Sequence, residues 1–452
     1  MTKHYTPAQN TRIGFHYFPD TLHFRDRDLS AWLPELKALG AQWITLVAPP
    51  DRAIPEVFIR GLINYGIEPV LHFHLSLESP PRCEDLSLLF DVYANWGVHY
   101  IALFKRPNCH DEWSVEKWVQ QDLVERFLDI YLPLAEAICT ARMIPIFPPL
   151  EPGGDFWDTT FLRTALQGIL DRGHHQLLEE LVVGAYAWAN NLPFNWGAGG
   201  PERWAGARPY FTPPDEEDQM GFRIFDWYTT LCEAILGRKL PILLLAMGSC
   251  PGDQRFPDNP KIDAEEHGTR NLQLARLLAG EKEATHNGVK LDPVPEHILA
   301  GNFWLLAANP NAPEANAGWY KAEGATLPAV NKFKAWVKAQ PIGNLQSPQS
   351  IQGETNQIDY KKHKPIKHYL LLPQYAWGVS NWHLEVIRPF IQKHMPTVGF
   401  SIEEACSAEK VTVIGDDDTF PPDVIEKLRA SGCNVIQVKA SGTSIATELE
   451  EL

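Results

Sequence analysis

The sequence lacks any CxxC pair and any Cys/His spacing typical of a metal site. Its seven cysteines (83, 109, 139, 232, 250, 406 and 433) are scattered and odd in number. That pattern excludes a disulfide framework and suits a reducing compartment. Neither GxGxxG nor GxxxxGK[ST] occurs, which removes the two common phosphate-cradling loops. No metal or cofactor is expected on these grounds. No run of about 18 apolar residues is present, and the start, Met-Thr-Lys-His-Tyr-Thr-Pro, lacks a signal peptide's apolar stretch. A cytoplasmic location follows as an expectation. Basic residues are in deficit, 40 Lys and Arg against 56 Asp and Glu, for a net charge of −16. Phosphate backbones and anionic membranes need clustered Lys and Arg, so neither nucleic acid nor membrane is expected as a partner. A neutral or cationic small molecule, a glycan or another protein remains.

What is present is an ordinary globular composition, 44% hydrophobic and 21% charged, with 15 Trp and 13 Tyr. Its 452 residues exceed what one core usually serves, so two folding units are expected. Residues 1–340 alternate β-rich runs with amphipathic stretches. The expected strands are Ile13–Tyr17, Trp43–Ala48, Pro69–Leu75, Tyr100–Phe104, Ile144–Pro148, Val182–Ala187, Pro241–Ala246 and Ala300–Leu306. Between them lie helical patterns such as Leu29–Leu39, with Leu29, Trp32, Leu33, Leu36 and Leu39 on one face. Eight strands apolar on both faces and separated by helices predict a (β/α)₈ TIM barrel, α/β in class. The polar, aperiodic stretch 341–364 reads as a linker. Residues 365–452 then read as a small α/β, Rossmann-like module.

A barrel of this kind places its site at the C-terminal ends of the strands, where the βα loops converge. Those ends supply His16 and Asp20, His72 and His74, then Lys105, Arg106 and Asn108. Glu151 and Asp155 follow strand 5; Tyr186, Trp188 and Asn190 end strand 6; Ser249, Cys250 and Asp253 follow strand 7; Asn302 and Trp304 end strand 8. Aromatic faces that stack on sugar rings, beside charged groups that bond hydroxyls, suit a carbohydrate ligand. His16, His74, Lys105, Arg106, Asn108, Tyr186, Trp188 and Trp304 are the expected ligand contacts. The Gly/Pro/aromatic stretch 188–214, with Trp196, Trp204, Arg203 and Arg208, reads as a lid.

Several of these segments resemble the large clan of retaining glycosidases, clan A. Tyr100-Ile-Ala-Leu-Phe-Lys-Arg-Pro-Asn108 with Trp113 is similar to that clan's strand-4 Trp-Asn-Glu-Pro-Asn motif. Leu181–Tyr186, Pro241–Gly248, Gly301–Trp304 and Gly324…Pro328-Ala329 resemble its later segments, in the right order, over residues 12–340. The resemblance implies a TIM barrel acting on glycosides. It also places the clan's acid/base Glu on Arg106 and its nucleophile Glu on Ala246. Retaining hydrolysis needs two carboxyl groups about 5–5.5 Å apart. Arg donates no proton at neutral pH, and Ala has no nucleophile, so retaining chemistry is not expected.

Glu151, in Leu150-Glu-Pro-Gly-Gly-Asp155, mimics the missing Glu-Pro one strand later. It is a candidate general acid, with Asp155 or Asp253 as the base of an inverting reaction, or else an ion-pair partner of Arg106 that shapes a binding site. Three readings stay open: a carbohydrate-recognising barrel without retaining chemistry, an active atypical hydrolase using Glu151, and a scaffold that binds a protein segment. In the C-terminal module, Val411-Thr-Val-Ile-Gly-Asp416 and the following helix and strand are similar to a bacterial cell-wall-binding repeat, with Asp416 where the repeat has Gly. A generic accessory domain is the other reading of that unit.

Overall fold

The computed structural model describes residues 4–339 and 364–450, except 9, 282–284, 287, 365, 374–380, 395, 418 and 440–443. The linker expected at 341–364 lies outside the described residues, apart from Lys364. The chain divides into two compact units, residues 1–348 and 349–452.

Eight parallel strands close the first unit into a barrel. They are β1 (Ile13–His16), β2 (Trp43–Val47), β3 (Glu68–Phe73), β4 (Tyr100–Leu103), β5 (Ile144–Phe147), β6 (Val182–Trp188), β7 (Ile242–Gly248) and β8 (Ile298–Phe303). Each pairs with its sequence neighbour, and β8 closes on β1 through Ile13↔Gly301, Gly14↔Asn302 and Phe15↔Phe303. The (β/α)₈ architecture read from the sequence is the one found.

Alternation along each strand sorts side chains between two cores. Phe15, Ile44, Leu71, Ile101 and Leu244 point outward under the helices. Trp43, Val70, Tyr100, Ile146, Val182 and Leu243 fill the interior. Continuing the inward series up each strand carries Val70 to His72 and His74, and Val182 to Gly184, Tyr186 and Trp188. On β8 the inward series runs from Ala300 to Asn302 and on to Trp304. The packed interior is therefore the platform on which the mouth residues stand. Asn302 crosses it, its Nδ2 donating to Leu244 O at 3.1 Å. A Cβ at residue 14 would lie 2.3 Å from Asn302 Oδ1, so the close approach there requires Gly14.

The second unit is a four-stranded parallel sheet, β9 (Ile366–Leu371), β10 (Thr397–Gly399), β11 (Ala408–Ile414) and β12 (Asn434–Val438), in the order β10-β9-β11-β12. Tyr369, Leu371, Val411 and Val413 pack on one face with Ile425 and Leu428. Leu370, Leu372, Ile414 and Val438 pack on the other with Ile387, Phe390, Ile445 and Leu449. Both faces are covered by helices, which is the small α/β module expected.

Candidate functional site

The end of β4 sets the geometry. Phe104 and Arg106 both have positive φ, 60° and 43°, unusual for side chains of this size. Three bonds hold the turn: Phe104 N donates to Phe73 O at 2.8 Å, Arg106 N to Pro149 O at 2.9 Å, and His72 Nε2 lies 2.6 Å from Phe104 O. A carbonyl only accepts, so His72 carries its proton on Nε2, which leaves Nδ1 to accept from His74 Nε2 at 3.3 Å. Burial keeps both imidazoles neutral, although the bond to the Phe104 carbonyl by itself raises the pKa of His72. Burial pushes His72 down to about 4, and His74 is held well below the ordinary range by burial, with His72, Lys105, His16 and Arg106 adding to it. His16, fully within the barrel, is pushed down to about 3 by burial and by His72, and its Nδ1 has no hydrogen-bond partner.

The turn presents Arg106 to three carboxylates. Its Nη2 donates to Asp111 Oδ2 at 3.0 Å and Glu112 Oε1 at 3.2 Å, and its Nη1 lies 3.9 Å from Glu151 Oε2. Lys105 Nζ sits 3.7 Å from the same Glu112 oxygen. Burial raises the pKa of both glutamates. Lys105 and Arg106 draw Glu112 back down, and Arg106 with Arg255 does so for Glu151. Glu112 has no counterpart among the residues expected from the sequence. Its only signal there is a pair of acids at 111–112 following a pair of bases at 105–106.

Asn108, an expected ligand contact, is engaged by the protein itself. It is fully buried, and its carboxamide is spent on the main chain of the loop after β5. Nδ2 donates to Glu151 O at 2.9 Å and Phe156 O at 3.0 Å, while Oδ1 accepts from Glu151 N at 2.9 Å. A Cβ at Gly154 would lie 2.5 Å from Asn108 Nδ2, so the Gly-Gly of this loop lets the clamp close. Asn108 positions Glu151 through these bonds. Asp155 is exposed, and its Oδ2 accepts from His110 N at 2.8 Å. Asp253 accepts from Arg255 N at 3.0 Å within its own turn. Neither joins the Arg106 cluster.

The opposite wall is aromatic. Tyr186 and Trp188 are 5.6 Å apart between ring centroids, Trp188 meets Trp304 edge-on at 5.9 Å, and Trp304 meets His16 at 4.6 Å. Tyr186, Trp188 and Trp304 each keep part of their surface open. Glu151 is the largest charge acting on the Tyr186 hydroxyl, which ties the aromatic row to the carboxylate cluster. The structure thus brings together seven expected contacts, His16, His74, Lys105, Arg106, Tyr186, Trp188 and Trp304, with Glu151. β7 is entirely buried and reads Ile-Leu-Leu-Leu-Ala-Met-Gly, so Ala246 and its neighbours contribute no carboxyl group. Burial pushes Cys250 up to about 11, which leaves it a thiol at neutral pH. Among the described residues, no group of three or more His, Cys, Asp or Glu is arranged to hold a metal ion, and no helix is long and apolar enough to cross a membrane.

The stretch after β6, expected as a lid, is bonded into the unit. Trp204 Nε1 donates to Ala198 O at 3.0 Å, Trp227 Nε1 to Gly197 O at 2.9 Å, and Asn190 Nδ2 to Met220 O at 2.8 Å.

No family profile and no curated protein matches the chain. Among solved structures, it is similar to a β-glucuronidase 2 of Bacteroides uniformis, at 11% identity and TM-score 0.46, over 82% of this chain and 38% of that one. It is also similar to a β-glucuronidase of Bifidobacterium dentium, at 10% identity and TM-score 0.42, over 74% and 47% of the two chains. A third, a subgroup II GH128 endo-β-1,3-glucanase of Sorangium cellulosum, has 14% identity and TM-score 0.38, over 72% and 98%. The alignment spans less than half the length of the first two proteins.

Proposed function

We propose that the barrel is a carbohydrate-recognising domain of glycoside-hydrolase-like build that lacks retaining glycosidase chemistry. The observation that carries this reading is the pairing at the mouth. A row of part-exposed rings, Tyr186, Trp188 and Trp304, faces a cluster in which Arg106 is bound by carboxylates. Rings offer stacking faces to the C–H surface of a sugar, and the charged groups offer hydrogen bonds to its hydroxyls. The cluster is pre-organised by Asn108 and by the His72–Phe104 bond, which lowers the ordering cost of binding. A covalent glycosyl-enzyme has no support from β4 or β7, since Arg106 and Ala246 stand at the ends where the clan resemblance puts the two glutamates.

One observation favours a second reading, inverting hydrolysis. Burial holds the Glu151 carboxyl above its ordinary range, as a general acid requires. Glu151→Gln separates the two. In the recognition reading, wild type binds glycans on an array, cleaves no aryl glycoside, and takes no label from a mechanism-based fluorosugar; Glu151→Gln still binds. Cleavage by wild type that is lost in Glu151→Gln establishes hydrolysis. Stoichiometric labelling of any carboxylate overturns the recognition reading.

A further inference from the structure

A cavity of about 390 Å³ lies in the stretch that follows β6, against the loop after β5. The rings of Trp157, Trp196, Tyr210, Phe211 and Phe256 line it, and so does Glu216. Trp157 and Tyr210 are 5.2 Å apart between centroids, and Trp196 and Phe256 are 6.1 Å apart. Tyr210 and Phe211 are 65% and 62% exposed, far more than rings of this size keep when packing alone decides their place.

The polar groups of the lining are unequally spent. Trp196 Nε1 donates to Asp218 Oδ1 at 2.9 Å, and the Thr212 hydroxyl donates to Asp218 Oδ2 at 2.8 Å. The Tyr210 hydroxyl accepts from Trp157 N at 2.9 Å and donates to Asp155 O at 3.3 Å. Three of the four side-chain donors in the lining are therefore committed inside the protein. The carboxylate of Glu216 is not: its Oε2 is buried without a hydrogen-bond partner. A Cβ at Gly206 would lie 2.6 Å from Glu216 Oε1, so glycine there lets the carboxylate press against the chain. No Lys, Arg or His side chain lines the cavity. Arg208, two residues before Tyr210, donates to the carbonyls of Ala205 and Ala207.

We propose that this cavity is a binding site for an organic ammonium group, held by the ring faces and by Glu216. Aromatic faces attract cations through their quadrupole, and a buried carboxylate oxygen without a donor is costly until one arrives. A protonated amine answers both, since it carries three donors and no acceptor. A neutral sugar would find its acceptors poorly served, because most donors of the lining are used. The proposal stands apart from the barrel-mouth reading and does not depend on it.

The full-length chain is titrated with glucosamine, choline and glucose by calorimetry near neutral pH. Glucosamine binds, and glucose, which differs by the amine, binds at least about tenfold more weakly, the scale of a lost charge-assisted bond. Glu216→Gln weakens glucosamine by a similar factor, and Phe211→Ala, an exposed ring whose loss leaves the unit folded, weakens it severalfold. Glucosamine binds more tightly than choline, whose quaternary nitrogen brings no N–H donor to Glu216; the reverse order overturns the proposal. Glucosamine binding that neither substitution weakens overturns the proposal, as does no binding of either ammonium probe, or glucose binding that both substitutions weaken as much as glucosamine binding.

Discussion

Arg106 Nη1 lies 3.9 Å from Glu151 Oε2, while the Nη2 of the same guanidinium serves Asp111 and Glu112. One cation therefore faces two half-buried glutamates from the end of β4. The pair is partly solvated, so its worth lies in fixing charge and position more than in stability.

Removing that cation tests the electrostatics. Arg106 draws both glutamates down against burial. In Arg106→Gln, the pKa values of Glu112 and Glu151 should rise together, read as carboxyl ¹³C shifts through a pH titration. Unchanged values for both would mean that the guanidinium does not set the charge at the mouth.

The aromatic row makes a separable prediction. Trp188→Ala or Trp304→Ala should weaken glycan binding by about 1–3 kcal/mol, the cost of losing a stacking face. If both variants bind like wild type on the same array, the mouth is not the sugar site.

The barrel was readable in advance because inward and outward series repeat at period two on eight strands, and helices intervene. Strand ends were less so: β8 was expected at Ala300–Leu306 and stands at Ile298–Phe303, since residues beyond Phe303 leave the sheet. β10, three residues long at a sheet edge, is too short to show a period. At the site, His16, Arg106, Glu151, Trp188 and Trp304 followed from their places at strand ends. Glu112 did not, because the left-handed turns at Phe104 and Arg106 bring it back onto Arg106, and neither carries a glycine or asparagine signal. Asn108 was legible as a mouth residue but not as a clamp, since its partners are main-chain groups 43 and 48 residues away.

That clamp predicts a stability loss out of proportion to one side chain. Asn108→Ala takes a partner from Glu151 N and from the Phe156 carbonyl, while the Glu151 carbonyl keeps its bond from Gly154 N. Urea denaturation should show a loss of about 2–4 kcal/mol, two unmet groups. Asn108→Asp keeps the acceptor for Glu151 N but sets a carboxylate oxygen against two carbonyls in a buried site, and should cost at least as much as alanine. A loss under about 1 kcal/mol for alanine would mean that the loop holds itself.

The last prediction concerns pH. His16 and His72 are pushed down to about 3 and about 4, while an unfolded histidine titrates near 6.5. The unfolded chain therefore takes up protons that the folded barrel refuses. These two groups contribute stability that is full above 6.5 and is lost as pH falls toward 4. Asp158 acts in the opposite direction. Burial raises it to about 6, despite bonds from Gly153 N, Gln219 and Tyr228, so its contribution is present below 3.8 and lost as pH rises through about 6. Between pH 6 and 4 the two histidines pull the barrel toward lower stability on acidification, and Asp158 opposes them. Each histidine adds up to about 1.4 kcal/mol per pH unit in that window. Urea midpoints followed by tryptophan fluorescence at pH 7, 6 and 5 give the slope. His72→Gln should flatten it and Asp158→Asn should steepen it. Identical slopes in all three proteins would mean that His72 and Asp158 titrate alike in the folded and unfolded chains, and the neutral relay from His74 through His72 to Phe104 would have to be abandoned.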